Sequence, residues 1–156
     1  MNIAFFLTPK KEIVTLNNKM TIRQAMEVME YHRYSAVPVI DKLGKYVYTL
    51  SEGDILWHLK HKEGLMFRDT EKEGIDNIQR NREIKAVDIN ADIESLIDLS
   101  ITQGFVPVKD DQDVFIGIIK RSDILNYGLK SLSREKISSI SIIIPEQINE
   151  TKYLLS

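Results

Sequence analysis

The sequence predicts an α+β fold built from two β-α-β-β-α units that pack on each other. Three observations carry this prediction. The stretch from Val37-Pro38-Val39 to Asp54-Ile55-Leu56 returns as Val106-Pro107-Val108 to Asp123-Ile124-Leu125, displaced by 69 positions with no gap between the landmarks. Around each copy, runs of β-branched residues alternate with segments whose apolar residues fall at helical spacing. A unit of roughly 70 residues buries only about 60% of the surface its unfolded chain exposes, so each copy is marginal alone and is expected to share a core with the other.

Composition narrows the class. The chain has 156 residues, 43% hydrophobic and 28% charged, as in ordinary globular proteins. A formal net charge of −2 exerts no bulk pull toward nucleic acid or an anionic membrane. With no cysteine, disulfides, thiolate chemistry and cysteine-ligated zinc are excluded. The apolar start, Met1 to Leu7, is short, lacks a basic leader and is interrupted by Thr8-Pro9-Lys10-Lys11, unlike a signal peptide. No apolar run approaches the length of a membrane span. A cytoplasmic protein is expected.

In chain order, residues 2–9 read as a short amphipathic turn or helix stopped by Pro9. Ile13-Val14-Thr15-Leu16 reads as a strand. Thr21 is a candidate N-cap for a helix whose buried face is Ile22, Ala25, Met26 and Met29. Ala36 to Ile40 is a strand in which Pro38, lacking an N–H, is restricted to an edge or irregular place. Asp41 to Gly44 is a hairpin turn with Gly44 able to take positive φ. Lys45 to Leu50 returns as a strand, and Ser51 to Asp54 opens a helix reaching about His61. Residues 60 to 82, dense in both charges, read as a solvated connector, helical in part around Asp76 to Arg80.

The second unit repeats this order. Ala86 to Ile89 is the strand and Asp92 the N-cap, with Ile93, Leu96, Ile97 and Ile101 as the buried helical face. Phe105 to Val108 is the next strand, Lys109 to Asp113 the turn, Val114 to Ile119 the return strand, and a helix follows from about Arg121 to Leu129. Ser133 to Ile140 is a further helix candidate, and Ile142-Ile143-Ile144 reads as a strand ended by Pro145, docked on the domain or in a dimer contact. The expected divisions are 1–62, 63–82, 83–130 and 131–156. His58 and His61 share a helical face without an obvious third ligand, so they read as surface histidines and not a metal site. Trp57 beside them reads as an anchor for a neighbouring domain or subunit. No helix-turn-helix with a basic face is visible, so nucleic acid is not an expected partner.

These residues resemble the CBS domain family, the cystathionine-β-synthase-type repeat, over about 5–130. The marks in the first copy are Leu7-Thr8-Pro9, Val14-Thr15, Ala36-Val37-Pro38-Val39-Ile40-Asp41 and Thr49-Leu50-Ser51-Glu52-Gly53-Asp54-Ile55-Leu56. In the second they are Phe105-Val106-Pro107-Val108-Lys109-Asp110 and Gly117-Ile118-Ile119-Lys120-Arg121-Ser122-Asp123-Ile124-Leu125. The resemblance implies a stand-alone tandem pair, packed by pseudo-twofold symmetry, whose two clefts bind adenosine-containing ligands. It implies that Asp54 and Asp123 hold ribose hydroxyls and that Ser51 contacts ribose or phosphate. It also implies that the Pro-containing strand and the first strand sandwich the base. The candidate ligand-binding residues are then Thr15, Ala36, Pro38, Val39, Tyr48, Ser51, Asp54, Phe105, Val106, Pro107, Lys120, Arg121 and Asp123. AMP, ADP or ATP is the implied ligand, ahead of S-adenosylmethionine or cyclic di-AMP. No catalytic role, metal or cofactor is expected. A homodimer that signals to a downstream protein partner is.

The residue chemistry suits this. An ionised carboxylate offers two acceptor oxygens and takes both hydrogen bonds of a cis-diol. In the first turn of a helix, free N–H groups and the macrodipole favour an anion. Lys120 and Arg121 would add positive charge in the second cleft. The competing reading is that each Asp is a helix cap and that the module is a structural or dimerisation unit with non-functional clefts. Two departures from the family pattern favour that reading. Tyr48 stands where the family has Gly, matching Gly117, and Lys120 stands where it has Ser or Thr, matching Ser51.

Overall fold

The structure, a computed structural model, describes residues 1–154, with side chains to residue 138. It divides into two compact units, Met1–Arg121 and Ser122–Ser156. The first holds two sheets. One has the order β2-β3-β4, from Leu16–Asn17, Ala36–Ile40 and Tyr46–Ser51. The other has the order β1-β7-β6-β5, from Leu7–Pro9, Phe115–Lys120, Phe105–Lys109 and Val87–Asp88. Helices α1 (Ile22–His32), α2 (Glu52–His61) and α3 (Ile93–Thr102) complete the unit. This is the expected α+β pair.

Helix α1 begins where a capping box satisfies its first free N–H groups. Thr21 Oγ1 accepts from the Gln24 N–H at 3.2 Å, and Gln24 Oε1 accepts from the Thr21 N–H at 3.0 Å. Ile22, Ala25 and Met29 are buried and Met26 packs beside them, the face that the spacing predicts. The two hairpins are built alike. Asp41 Oδ1 accepts from the Leu43 and Lys45 N–H groups, and Asp110 Oδ1 from those of Gln112 and Val114. Gly44 takes φ +80, and its counterpart 69 positions on, Asp113, takes φ 63, which Asp tolerates better than most side chains. The hairpins meet: Phe115 N–H donates to the Gly44 carbonyl at 2.9 Å. Pro38 and Pro107 lie in the middle strands of their sheets. The parallel neighbours β2 and β5 reach only Val39-Ile40 and Val108-Lys109, so each proline has a paired strand on one side alone.

Several expectations are corrected. Residues 2–9 are not a helix stopped by Pro9. A short 3-10 turn, Ile3–Phe6, leads into β1, which pairs antiparallel with β7 of the second repeat, Pro9 opposite Gly117. Pro9 is tolerated because β1 is an edge strand. Thr15 lies outside β2, which is shorter than the four-residue strand expected. The connector is not simply a solvated face. Thr70, Ile75 and Ile78 are buried, and the two isoleucines belong to the same core cluster as Leu16, Val39 and Leu50. Backbone bonds tie it down, from Ile22 N–H to Glu73 O at 2.8 Å and from Ile75 N–H to Met20 O at 3.0 Å. In α3 the buried line is Leu96 and Ser100. Ile97 and Ile101, expected inside, are exposed, because α3 is apolar on more than one face and only one of them meets β6.

His58 is likewise not a surface histidine. Its Nε2 lies 3.0 Å from Glu73 Oε1, which also receives the Lys62 ammonium. Burial raises the Glu73 carboxyl, but the bonds from Lys62 and His58 outweigh it and hold it below its ordinary value of 4.5. A depressed carboxyl contributes stability that is present above the unfolded value and lost as pH falls through the folded one. Urea unfolding of Glu73→Gln beside the parent is therefore expected to show a deficit near neutrality that narrows below pH 4.5.

The second unit consists of α4, which starts at Arg121 and runs as one helix to Leu154. The expected stop near Leu129 and the expected strand at Ile142 to Ile144 are both replaced by this helix. Strand propensity depends on a neighbouring strand to pair with, and a helix already nucleated extends one hydrogen bond at a time. The side chains of the isoleucine run lie outside the described residues.

Candidate functional site

Asp54 sits in the first turn of α2 and is buried, with only 6% of its surface exposed. Its two oxygens are already engaged. Oδ2 accepts from the Ser51 N–H at 3.0 Å, while Ser51 Oγ accepts from the Asp54 N–H at 3.1 Å, a reciprocal capping box. Oδ1 accepts from the backbone N–H of Asn81, in the connector, at 3.1 Å. Ser51 and Asp54 are thus brought together as expected. The third participant, Asn81, was not expected.

Tyr48 explains why the connector lies there. Gly117, its counterpart, has no room for a side chain: a Cβ would stand 2.2 Å from the Thr8 carbonyl oxygen of β1. Ile78-Gln79-Arg80 lies as far ahead of α3 as Leu7-Thr8-Pro9 lies ahead of α1. It forms no strand against β4. The Tyr48 ring occupies that edge, with the Arg80 guanidinium 3.8 Å from its centroid and its hydroxyl donating to Asp76 Oδ1 at 2.7 Å. Burial, with Asp76 beside it, raises the Tyr48 phenol far above 10, so it stays a donor throughout the physiological range. Nearby, the Tyr46 hydroxyl donates to Ile84 O at 2.7 Å and bonds Thr49 Oγ1 at 2.9 Å, and burial pushes it up to about 12. The broken repeat symmetry is therefore traced to one side chain.

The other expected site residues separate into two groups. Val39 and Val106 are fully buried core residues, and Pro38 and Pro107 are buried beside them, so these four present no surface to a ligand. The reason is that three consecutive residues of β3 and of β6 are covered, not alternate ones. Thr15, Ala36 and Phe105 keep partial exposure, and Lys120 is exposed. The Arg121 guanidinium donates toward Ser100 O and Ile101 O, both at 3.4 Å, at the C-terminal end of α3, where a cation opposes the macrodipole. Asp123 stands in the first turn of α4. Asp76, Arg80 and Asn81 are the residues that repeat reasoning missed. The signal was present, since Ile75 and Ile78 are the apolar pair that fastens this stretch to the core.

Among the described residues, no helix is long and apolar enough to cross a membrane. The CBS domain model matches residues 6–61 and again 75–130, so the chain belongs to the CBS domain family as two tandem repeats. It is similar in structure to CbpB in complex with c-di-AMP, at 25% identity and a TM-score of 0.77, over 89% of this chain and 91% of that one. It is also similar to CbpB from Streptococcus agalactiae, at 26% identity and a TM-score of 0.72, over 85% and 82% of the two chains. A CBS domain protein from Streptococcus pneumoniae TIGR4 aligns at 25% identity and a TM-score of 0.74, over 82% and 86%. No curated protein matches the sequence.

Proposed function

We propose that the protein is a non-catalytic sensor of an adenine nucleotide, whose binding favours one arrangement of the chain and alters the surface offered to a partner. The observation that carries this reading is the paired Asp at the start of the last helix of each repeat, Asp54 and Asp123, in a tandem CBS chain. Ser51, Lys120 and Arg121 are the proposed phosphate or ribose contacts, and Thr15, Ala36 and Phe105 the proposed purine contacts. Cyclic di-AMP, ranked behind the mononucleotides on sequence alone, joins AMP, ADP and ATP at the front, because a relative of 25% identity is seen in complex with it. Of the two carboxylates, Asp123 is the proposed principal diol acceptor, since a ligand at Asp54 must first displace the Asn81 N–H. The protein acts as a homodimer in this reading.

A second reading has its own support. Asn81 on Asp54 and Arg80 on Tyr48 suit a module whose first cleft serves structure alone. Thermal unfolding with each ligand separates the two. A ligand that binds only the folded chain stabilises it by about 2.7 kcal/mol at 100 times its Kd. The sensor reading expects a rise in Tm with at least one of these nucleotides. Unchanged unfolding with all of them, at millimolar concentration, leaves the structural module.

A further inference from the structure

Beside the Tyr48 edge of β4 lies a groove of about 970 Å³, at the upper end of the range for small-molecule sites. It exists on one repeat only. The matching edge, β7, is covered by β1, whereas at β4 the connector is held off by the Tyr48 ring. The groove does not belong to the candidate clefts, for neither Ser51, Asp54 nor Phe105 lines it.

Its lining is cationic in a particular way. Lys45, Arg80, Arg82 and Lys85 face it, and among the described residues none of the four makes an ion pair. Of the carboxylates on its wall, Asp76 already serves Tyr48 and Asn18, and Asp113 serves Lys109. Only Glu83 is left to balance four cations. Like charges gathered without counter-charge repel, and an anion between them relieves that repulsion. Arginine guanidinium groups match phosphate oxygens in two-point geometry. An added peptide strand fits less well, because β4 is buried from Tyr48 to Leu50 and leaves only a short stretch of open edge.

We propose that this groove is a second ligand site, separate from the nucleotide clefts, and that it takes a diphosphate group, free or as an ester. Inorganic pyrophosphate and uridine diphosphate carry that group without adenine. They are titrated into the full-length protein by calorimetry, with two-dimensional amide NMR alongside. Saturable binding is expected to move the amides of Lys45 to Tyr48 and of Arg80 to Lys85. Lys45→Gln and Arg82→Gln are each expected to weaken it about tenfold, as loss of one charge-assisted contact does. Arg68→Gln, an exposed charge elsewhere, is expected to leave it unchanged. Tighter binding of pyrophosphate assigns the site to the free anion, and tighter binding of uridine diphosphate assigns it to an ester. Absence of saturable binding overturns the proposal. So does binding that survives Lys45→Gln/Arg82→Gln in a variant that still folds by circular dichroism, or binding that Arg68→Gln weakens equally.

Discussion

Gly117→Ala is expected to detach the N-terminal strand and lower stability by about 3–6 kcal/mol. The new Cβ would lie 2.2 Å from the Thr8 carbonyl oxygen and 3.1 Å from the Pro9 Cα, both backbone atoms that no rotamer change removes. β1 must leave β7, and Ile3 and Phe6, both buried, go with it. Each such side chain is worth about 1.5–3 kcal/mol when fully buried. Urea unfolding measures the loss, and hydrogen exchange is expected to show residues 3–9 unprotected. A loss under about 1 kcal/mol, typical of a harmless surface change, would mean that β1 is not seated against Gly117 as described.

Tyr48→Ala is the second large effect. Removing a buried aromatic ring costs about 3–5 kcal/mol, and the loss here extends to both connector contacts made by the ring. Tyr48→Phe keeps the ring and the Arg80 stack but strands the Asp76 carboxylate. It is expected to cost about 1 kcal/mol, the net worth of a typical hydrogen bond. Thermal or urea unfolding of the two variants separates packing from hydrogen bonding. Equal losses in both would put the whole effect on the hydroxyl and contradict the packing account.

How much of this was legible beforehand depends on what each residue interacts with. The repeat landmarks Pro38, Asp54, Pro107 and Asp123 were readable because local order and spacing define them. The caps at Thr21 and Ser51 were readable for the same reason: their partners lie three residues away. β1 was misread because its partner, β7, lies more than a hundred residues on, and nothing in Leu7-Thr8-Pro9 announces it. The connector was misread because its charges dominate the composition while two isoleucines do the anchoring. Ile97 and Ile101 were placed inside because helical spacing alone does not say which of two apolar faces meets the sheet. In the candidate site the Ser51–Asp54 pair was foreseen. The Asn81 N–H was not, since a backbone donor has no sequence signature. Tyr48 was recognised as the departure from the family pattern, and its effect on the connector became visible only through Asp76 and Arg80.

Nucleotide binding itself is the central claim, and calorimetric titration of the full-length chain tests it most directly. Cyclic di-AMP, AMP, ADP and ATP are each titrated into the parent, Asp54→Ala, Asp123→Ala and the double variant. The predicted result is saturable binding of at least one nucleotide, weakened at least about tenfold by Asp123→Ala, as loss of a carboxylate's charge-assisted bonds requires. Absence of binding by all four nucleotides at millimolar concentration, or affinity unchanged in the double variant, would contradict it.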